Sequence, residues 1–142
     1  MAVRVKVRIN IQEKVIETSA LVNSGFETDE PQILVPDKLL VLNGIDVSKL
    51  GAGRAVEYST AGGDIAMYVV KRACTVSVVE PDRVVGSVTS DLVISPIERE
   101  VLISDALGEE LGIVILSLKK GLWRFSSDPE GTVRRSCPPE YW

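Results

Sequence analysis

The chain has 142 residues with a net charge of −4 and a pI of about 4.9, and 45% of it is hydrophobic. That length suits one domain with a real core, the prominence of Val and Ile favours sheet over helix, and the acidic balance gives nucleic-acid binding no electrostatic support. Histidine is absent, which excludes Ser-His-Asp and Cys-His nucleophiles and most catalytic zinc sites. The two cysteines, Cys74 and Cys137, lie far apart with no CxxC spacing, so no metal centre and no cofactor is expected. No apolar run is long enough to span a bilayer as a helix, and no signal peptide precedes the first strand. The expectation is a cytoplasmic protein that engages neither membrane nor nucleic acid.

Val3, Val5, Val7, Ile9 and Ile11 alternate with Arg4, Lys6, Arg8 and Asn10, the period of a strand with one buried face. Gln12-Glu13-Lys14 is its hairpin turn, and Val15 to Val22 is the returning strand. After a turn at Asn23-Ser24-Gly25 comes an acidic loop, Glu27 to Pro31, then a short strand from Gln32 to Val35. Pro36 stands at a plausible first helical position, and the short helix it opens ends near Asn43-Gly44. Gly51-Ala52-Gly53 is a flexible connection; Val56 stands where a GxGxxG phosphate loop needs its third glycine, so nucleotide binding is not expected.

Arg54 to Ser59 and Ile65 to Val70 read as two strands joined by a glycine-bearing loop, Thr60 to Asp64. Further strands follow around Cys74, Val76 and Val78, over Val84 to Val88, and over Leu92 to Ile94, before Pro96 breaks the sheet. The run Val101-Leu102-Ile103 predicts a buried central strand. Ser104 and Asp105 can cap the clearest helix of the chain, with Leu107 and Leu111 one turn apart and Gly112 closing it. Ile113 to Leu118 and Gly121 to Phe125 form a last hairpin around Lys119-Lys120. From Ser126 the composition turns linker-like, Pro138-Pro139 is extended, and the chain ends on Tyr141-Trp142, rings that either dangle or dock.

Asn23-Ser24-Gly25 taken alone is an ordinary turn, since Asn and Gly both favour turns. Three features together make the chain resemble the retropepsin-like aspartic peptidases, a small all-β family that includes the retroviral proteases. Leu21-Val22-Asn23-Ser24-Gly25 resembles the family's apolar-apolar-Asp-Thr/Ser-Gly. Val56 to Val70, with Gly62 and Gly63 at its tip, resembles the flap hairpin. Val101 to Leu107 resembles the late apolar run that leads into a short helix.

The resemblance, carried by roughly residues 3 to 125, implies a small closed β-barrel-like domain over 1–125, with a flap hairpin and one short C-terminal helix, and an extended tail over 126–142. It implies an aspartic endopeptidase that acts as a homodimer on peptide or protein substrates, with one half-site per chain. In that half-site Asn23 occupies the position of the catalytic Asp, beside Ser24 and Gly25, and Phe26, Ala61, Gly62, Gly63 and Asp64 face the substrate. The sequence departs from the family at Asn23 and at Ile103, which stands where the family has a glycine. The family's chemistry needs two carboxylates that share one proton. An amide cannot serve as that general base, whose loss costs roughly 100- to 10,000-fold, so the chain as written is expected to be inactive or nearly so. Two explanations stay open: a deliberate Asp-to-Asn change in a peptidase, or a natural non-catalytic module that binds peptides or assembles on the same fold.

Overall fold

The computed structural model describes residues 2–142. The opening alternation folds as expected: in β1 (Arg4–Ile11), Val5, Val7, Ile9 and Ile11 are at most 1% exposed. β2 (Lys14–Val22) returns antiparallel, in a register that pairs Ile11 with Lys14 and Arg4 with Leu21. The remaining strands are β3 (Gln32–Pro36), β4 (Gly53–Thr60), β5 (Gly63–Val79), β6 (Val84–Ser95), β7 (Val101–Ile103), β8 (Ile113–Ser117), β9 (Leu122–Phe125) and β10 (Arg134–Arg135). Two short helices interrupt them, α1 (Asp37–Leu42) and α2 (Asp105–Glu110). The protein is mostly β, as the composition predicts.

Six strands close a barrel in the order β1-β2-β7-β3-β6-β5, with β5 returning to β1 through pairs from Val7↔Val78 to Asn10↔Thr75. Closure removes the exposed edges that an open sheet would carry. The ladder is mixed. β7 lies parallel to β2 and antiparallel to β3, and β3 lies parallel to β6. β4 pairs only with the first half of β5, so these two strands leave the barrel as a projecting hairpin.

Several elements differ from the sequence expectation in extent. The two strands expected between Ile65 and Val78 are one, the 17-residue β5. Nothing between Asp64 and Val79 is glycine or proline, so the ladder is never cut. A bulge between Val70 and Cys74 takes up the bend instead. Arg72 there adopts a left-handed φ of 51°, and its N–H donates to Asp91 Oδ1 at 2.9 Å. β6 likewise runs unbroken through the gap expected between Val88 and Leu92. Pro36 ends β3 and serves as the N-cap of α1, so the helix starts at Asp37, one residue later than expected. The hairpin loop is shorter than Thr60 to Asp64: only Ala61 and Gly62 turn, and Thr60 already pairs with Gly63. Gly63 allows this with a φ of 114°, which a side chain would resist.

A three-stranded sheet, β8-β9-β10, sits beside the barrel. It contributes Trp123 and Phe125 to the core, at 0% and 1% exposure, with their rings edge to face at 4.9 Å. Over these rings lies Arg134, its guanidinium 4.9 Å from the Phe125 centroid. Arg134 donates to Asp128 from Nε (2.8 Å) and to both Asp82 oxygens (2.7 and 2.9 Å). Asp128 also accepts from the Phe125 N–H at 2.8 Å and from Arg83 at 3.0 Å. A buried carboxylate is tolerated when its charge is paired and its lone pairs are filled, and both conditions hold here.

Beyond Arg135 the tail is bonded along its length. Ser136 Oγ accepts from the Arg4 N–H, the Cys137 N–H donates to the Arg4 carbonyl, and the Glu140 N–H donates to Ser19 Oγ. The Trp142 indole donates to Thr18 Oγ1 at 3.2 Å, and its backbone N–H to the Arg99 carbonyl at 2.7 Å. The terminal rings therefore rest on the body of this chain.

The Arg134 hydrogen bonds are the largest of the causes that hold the Asp128 carboxyl well below the usual carboxylate range. A carboxyl depressed in the folded state contributes stability that is present above its unfolded pKa, near 4, and is lost as pH falls through the folded value. Asp128→Asn should therefore lower the melting temperature at pH 7 by about 5 °C, and by less at each step below pH 4. Calorimetry across that range checks it; an equal loss at pH 7 and pH 3 would contradict the assigned role.

Candidate functional site

β2 ends at Val22 because the chain must leave the barrel there, and the next residues are held by backbone bonds. The Asn23 N–H donates to the Ile103 carbonyl (3.1 Å), and the Phe26 N–H donates to the Asn23 carbonyl (3.0 Å). Asn23 Oδ1 accepts from the Gly25 N–H at 3.0 Å. This side-chain turn is what Asn and Asp are suited to form. It also fixes the amide: with Oδ1 taken by the backbone, the NH2 group is the end left for other partners.

The loop beyond is tied to α2. Asp105 donates its N–H to the Phe26 carbonyl, and Asp105 Oδ1 accepts from the Thr28 N–H (2.9 Å). Ser104, not Asp105, is the N-cap; its Oγ accepts from Leu107 (3.2 Å) and also from the Gln32 N–H (3.1 Å). One hydroxyl thus joins helix α2 to strand β3. Ile103 is fully buried in the barrel, with Gly108 of α2 packed over it.

Asn23, Gly25 and Phe26 line a cavity of about 290 Å³ beneath the projecting hairpin. Leu34 and Leu102 form its floor. They are a cross-strand pair on β3 and β7, whose neighbours Ile33 and Ile103 face the core instead. This is the period of two at work: one face builds the barrel and the other builds the cavity. Met67, Tyr58, Ser59, Thr60 and Ala61 form the roof, and Glu98 completes the wall. A second apolar cluster of Leu34, Met67, Val69 and Val93 lies under the hairpin, with Phe26 and Tyr58 packed against it.

Tyr58 holds the hairpin to the barrel. Its ring meets Phe26 edge to face at 6.2 Å, and its hydroxyl donates to Gln32 Oε1 at 3.0 Å. Gln32 in turn donates to buried Asp91 (3.3 Å), which also accepts from Lys71 (3.1 Å). Burial, the largest cause, pushes the Tyr58 hydroxyl above its ordinary pKa of about 10. On the other side of Tyr58 lies a wider cavity of about 690 Å³, walled by Glu27, Asp29, Glu30 and Asp105 with Lys71 as its one cation.

Of the residues expected at the site, Asn23, Gly25, Phe26 and Ala61 share the cavity. Ser24 is exposed at the loop crest, and Gly62, Gly63 and Asp64 lie at the hairpin end without lining it. Asp64 is bonded to Ser59 at 3.0 Å across the hairpin. Sequence reasoning passed over Leu34, Tyr58, Met67, Glu98 and Leu102. Tyr58 carries a readable signal, because it stands between the polar residues Glu57 and Ser59 on a strand; Met67, between Ala66 and Tyr68, does not. Glu98 carries none, since it lies two residues past Pro96 in a loop whose course is set by distant contacts. Cys74 is buried, and that burial pushes its thiol up to about 12, well outside a reactive range. Among the described residues no cluster could hold a metal ion, and no helix is long and apolar enough to cross a membrane. The chain matches no protein-family model and no curated protein.

The hairpin end has few packed neighbours, while β1 is buried in the barrel wall. Amide exchange at residues 60–64 should therefore run faster than at Val5 to Ile11 by about two orders of magnitude or more. Tyr58→Phe should speed the hairpin further and leave β1 unchanged. Equal protection in both segments would contradict a hinged cover.

Proposed function

We propose that this chain is a retropepsin-like domain whose Asn23 cavity is one half of a peptide-binding cleft, completed by a second copy. The observation that carries the reading is the position of Asn23. It stands at the end of a barrel strand, bonded to the β7 backbone, in a cavity roofed by a hairpin. Retropepsins build a half-site from the same parts, and a chain with one such loop needs a partner to supply the other.

The function class is aspartic endopeptidase, with the form carrying Asn23 inactive or nearly so. The Asn23 side chain accepts from Gly25 and offers an amide to the cavity; it has no carboxylate with which to take a proton from water. The runner-up, a non-catalytic peptide-binding or assembly module, rests on the same observation, because the cavity and its cover are intact without the carboxylate.

Asn23→Asp separates the two. The exchange is nearly isosteric and the Gly25 N–H can bond either side chain, so the loop should keep its shape. Two carboxylates, one from each copy, would then share a proton. The expected result is cleavage of a diverse peptide library by Asn23→Asp with an acidic optimum, at least about 100-fold faster than the parent. Both forms should sediment as dimers at micromolar concentration, the aspartate form less stably at neutral pH because like charges meet. A folded dimeric Asn23→Asp protein that cleaves nothing would leave the binding module as the better account. A 15.4 kDa species alone would remove the shared cleft.

A further inference from the structure

The cavity beside Asn23 combines an apolar body with a single charge. Phe26, Leu34, Met67 and Leu102 supply its apolar lining, and Glu98 is the only carboxyl or basic side chain among the described residues that line it. We propose that it takes a basic side chain, lysine or arginine, from an extended peptide. The methylene stem lies against the four apolar residues, and the cationic head reaches the Glu98 carboxylate. This rests on the peptide-cleft reading and adds the chemical class of the residue bound.

Size and shape agree with such an occupant. Long basic side chains bury their stems on apolar surface and keep the head near water, and about 290 Å³ exceeds what one such stem fills. Pockets of this kind use a few placed polar groups to set specificity within an apolar lining.

The Glu98 backbone is placed before any ligand arrives, and its exposed carboxylate carries no bond to another side chain among the described residues. Its N–H donates to the hydroxyl of buried Ser95 at 3.0 Å, as does that of Ile97 at 3.3 Å. On its other side, the Arg99 carbonyl accepts from the Trp142 N–H, and Glu100 is paired with Arg4. A loop fixed at both ends loses little backbone freedom on binding. Arg99 itself is turned toward the Tyr141 ring, 5.8 Å from its centroid, so it does not line the cavity beside its neighbour.

The surroundings favour a cation too. The wider cavity across Tyr58 holds Glu27, Asp29, Glu30 and Asp105, and its one lysine, Lys71, is already bonded to Asp91 and faces Glu30 at 3.6 Å. A field of one sign in adjoining clefts raises the local concentration of the opposite charge. An acidic side chain would meet Glu98 with no cation in the cavity to offset it, and that repulsion adds to the discrimination.

The test uses the full chain and fluorescein-labelled octapeptide pools, with one central position fixed as lysine, arginine, norleucine or glutamate and the flanks randomised. Anisotropy should rank lysine and arginine above norleucine by roughly fivefold, with glutamate weakest, and the gap should narrow in high salt. Glu98→Gln should bring lysine down to norleucine while norleucine binding stays put. Glu98→Lys should invert the order of lysine and glutamate. Equal binding of lysine and norleucine pools, or a lysine preference that survives Glu98→Gln, would overturn this inference and leave the cleft standing. Failure of every pool to bind would instead strike the cleft itself, and this inference with it.

Discussion

The structure depends on three residues. Val101, Leu102 and Ile103 form β7, which runs parallel to β2 on one side and antiparallel to β3 on the other. Without that strand the barrel has a gap between β2 and β3 and two rows of unpaired backbone groups, a costly state inside a protein. With it, two side chains seal the core, both fully buried, and the third forms cavity floor. The carbonyl of Ile103 then receives the Asn23 N–H. Closure of the barrel and placement of the site are consequences of one short pairing. The strand tolerates no slip, since moving by one residue would send Leu102 inward and both core residues out.

Around that strand, polar bonds tie together elements far apart in the chain. Ser104 caps α2 and bonds β3. Asp91 on β6 gathers the bulge at Arg72, Lys71 and Gln32, and Gln32 reaches Tyr58 on the hairpin. Each group is small, but a buried polar atom left unpaired costs more than a made bond gains. Among the described residues no buried side-chain nitrogen or oxygen lacks a partner. The cover over the cavity is thus positioned by the barrel's interior as well as by its own ladder.

The sequence made the repetitive parts legible. β1, β2 and β7 follow from a period of two or a short apolar run, and α2 from its serine, its spaced leucines and Gly112, because each of these signals is local. The turn at Asn23 was readable because three side-chain types in a row carry both its geometry and its resemblance. The continuity of β5 was not, since a bulge at Arg72 depends on Asp91, 19 positions away. Nor was the role of Arg134, whose guanidinium gathers Asp82, Asp128 and two rings through contacts across 52 positions. Glu98 belongs with these: two residues past Pro96 and exposed in the fold, it reads as a solvated loop residue, and only the course of that loop brings it to the cavity.

Trp142 has a reach that its distance along the chain from the cavity does not suggest. Trp142 bonds the carbonyl of Arg99, the neighbour of Glu98. Trp142 and the loop that carries Glu98 are therefore joined by a backbone bond. Drawing Trp142 away from Thr18 and Arg99 would free the loop that carries Glu98 without touching a residue that lines the cavity. A ligand that seats against Glu98 and one that draws Trp142 off Arg99 would then be linked, each changing the other's affinity by the same factor.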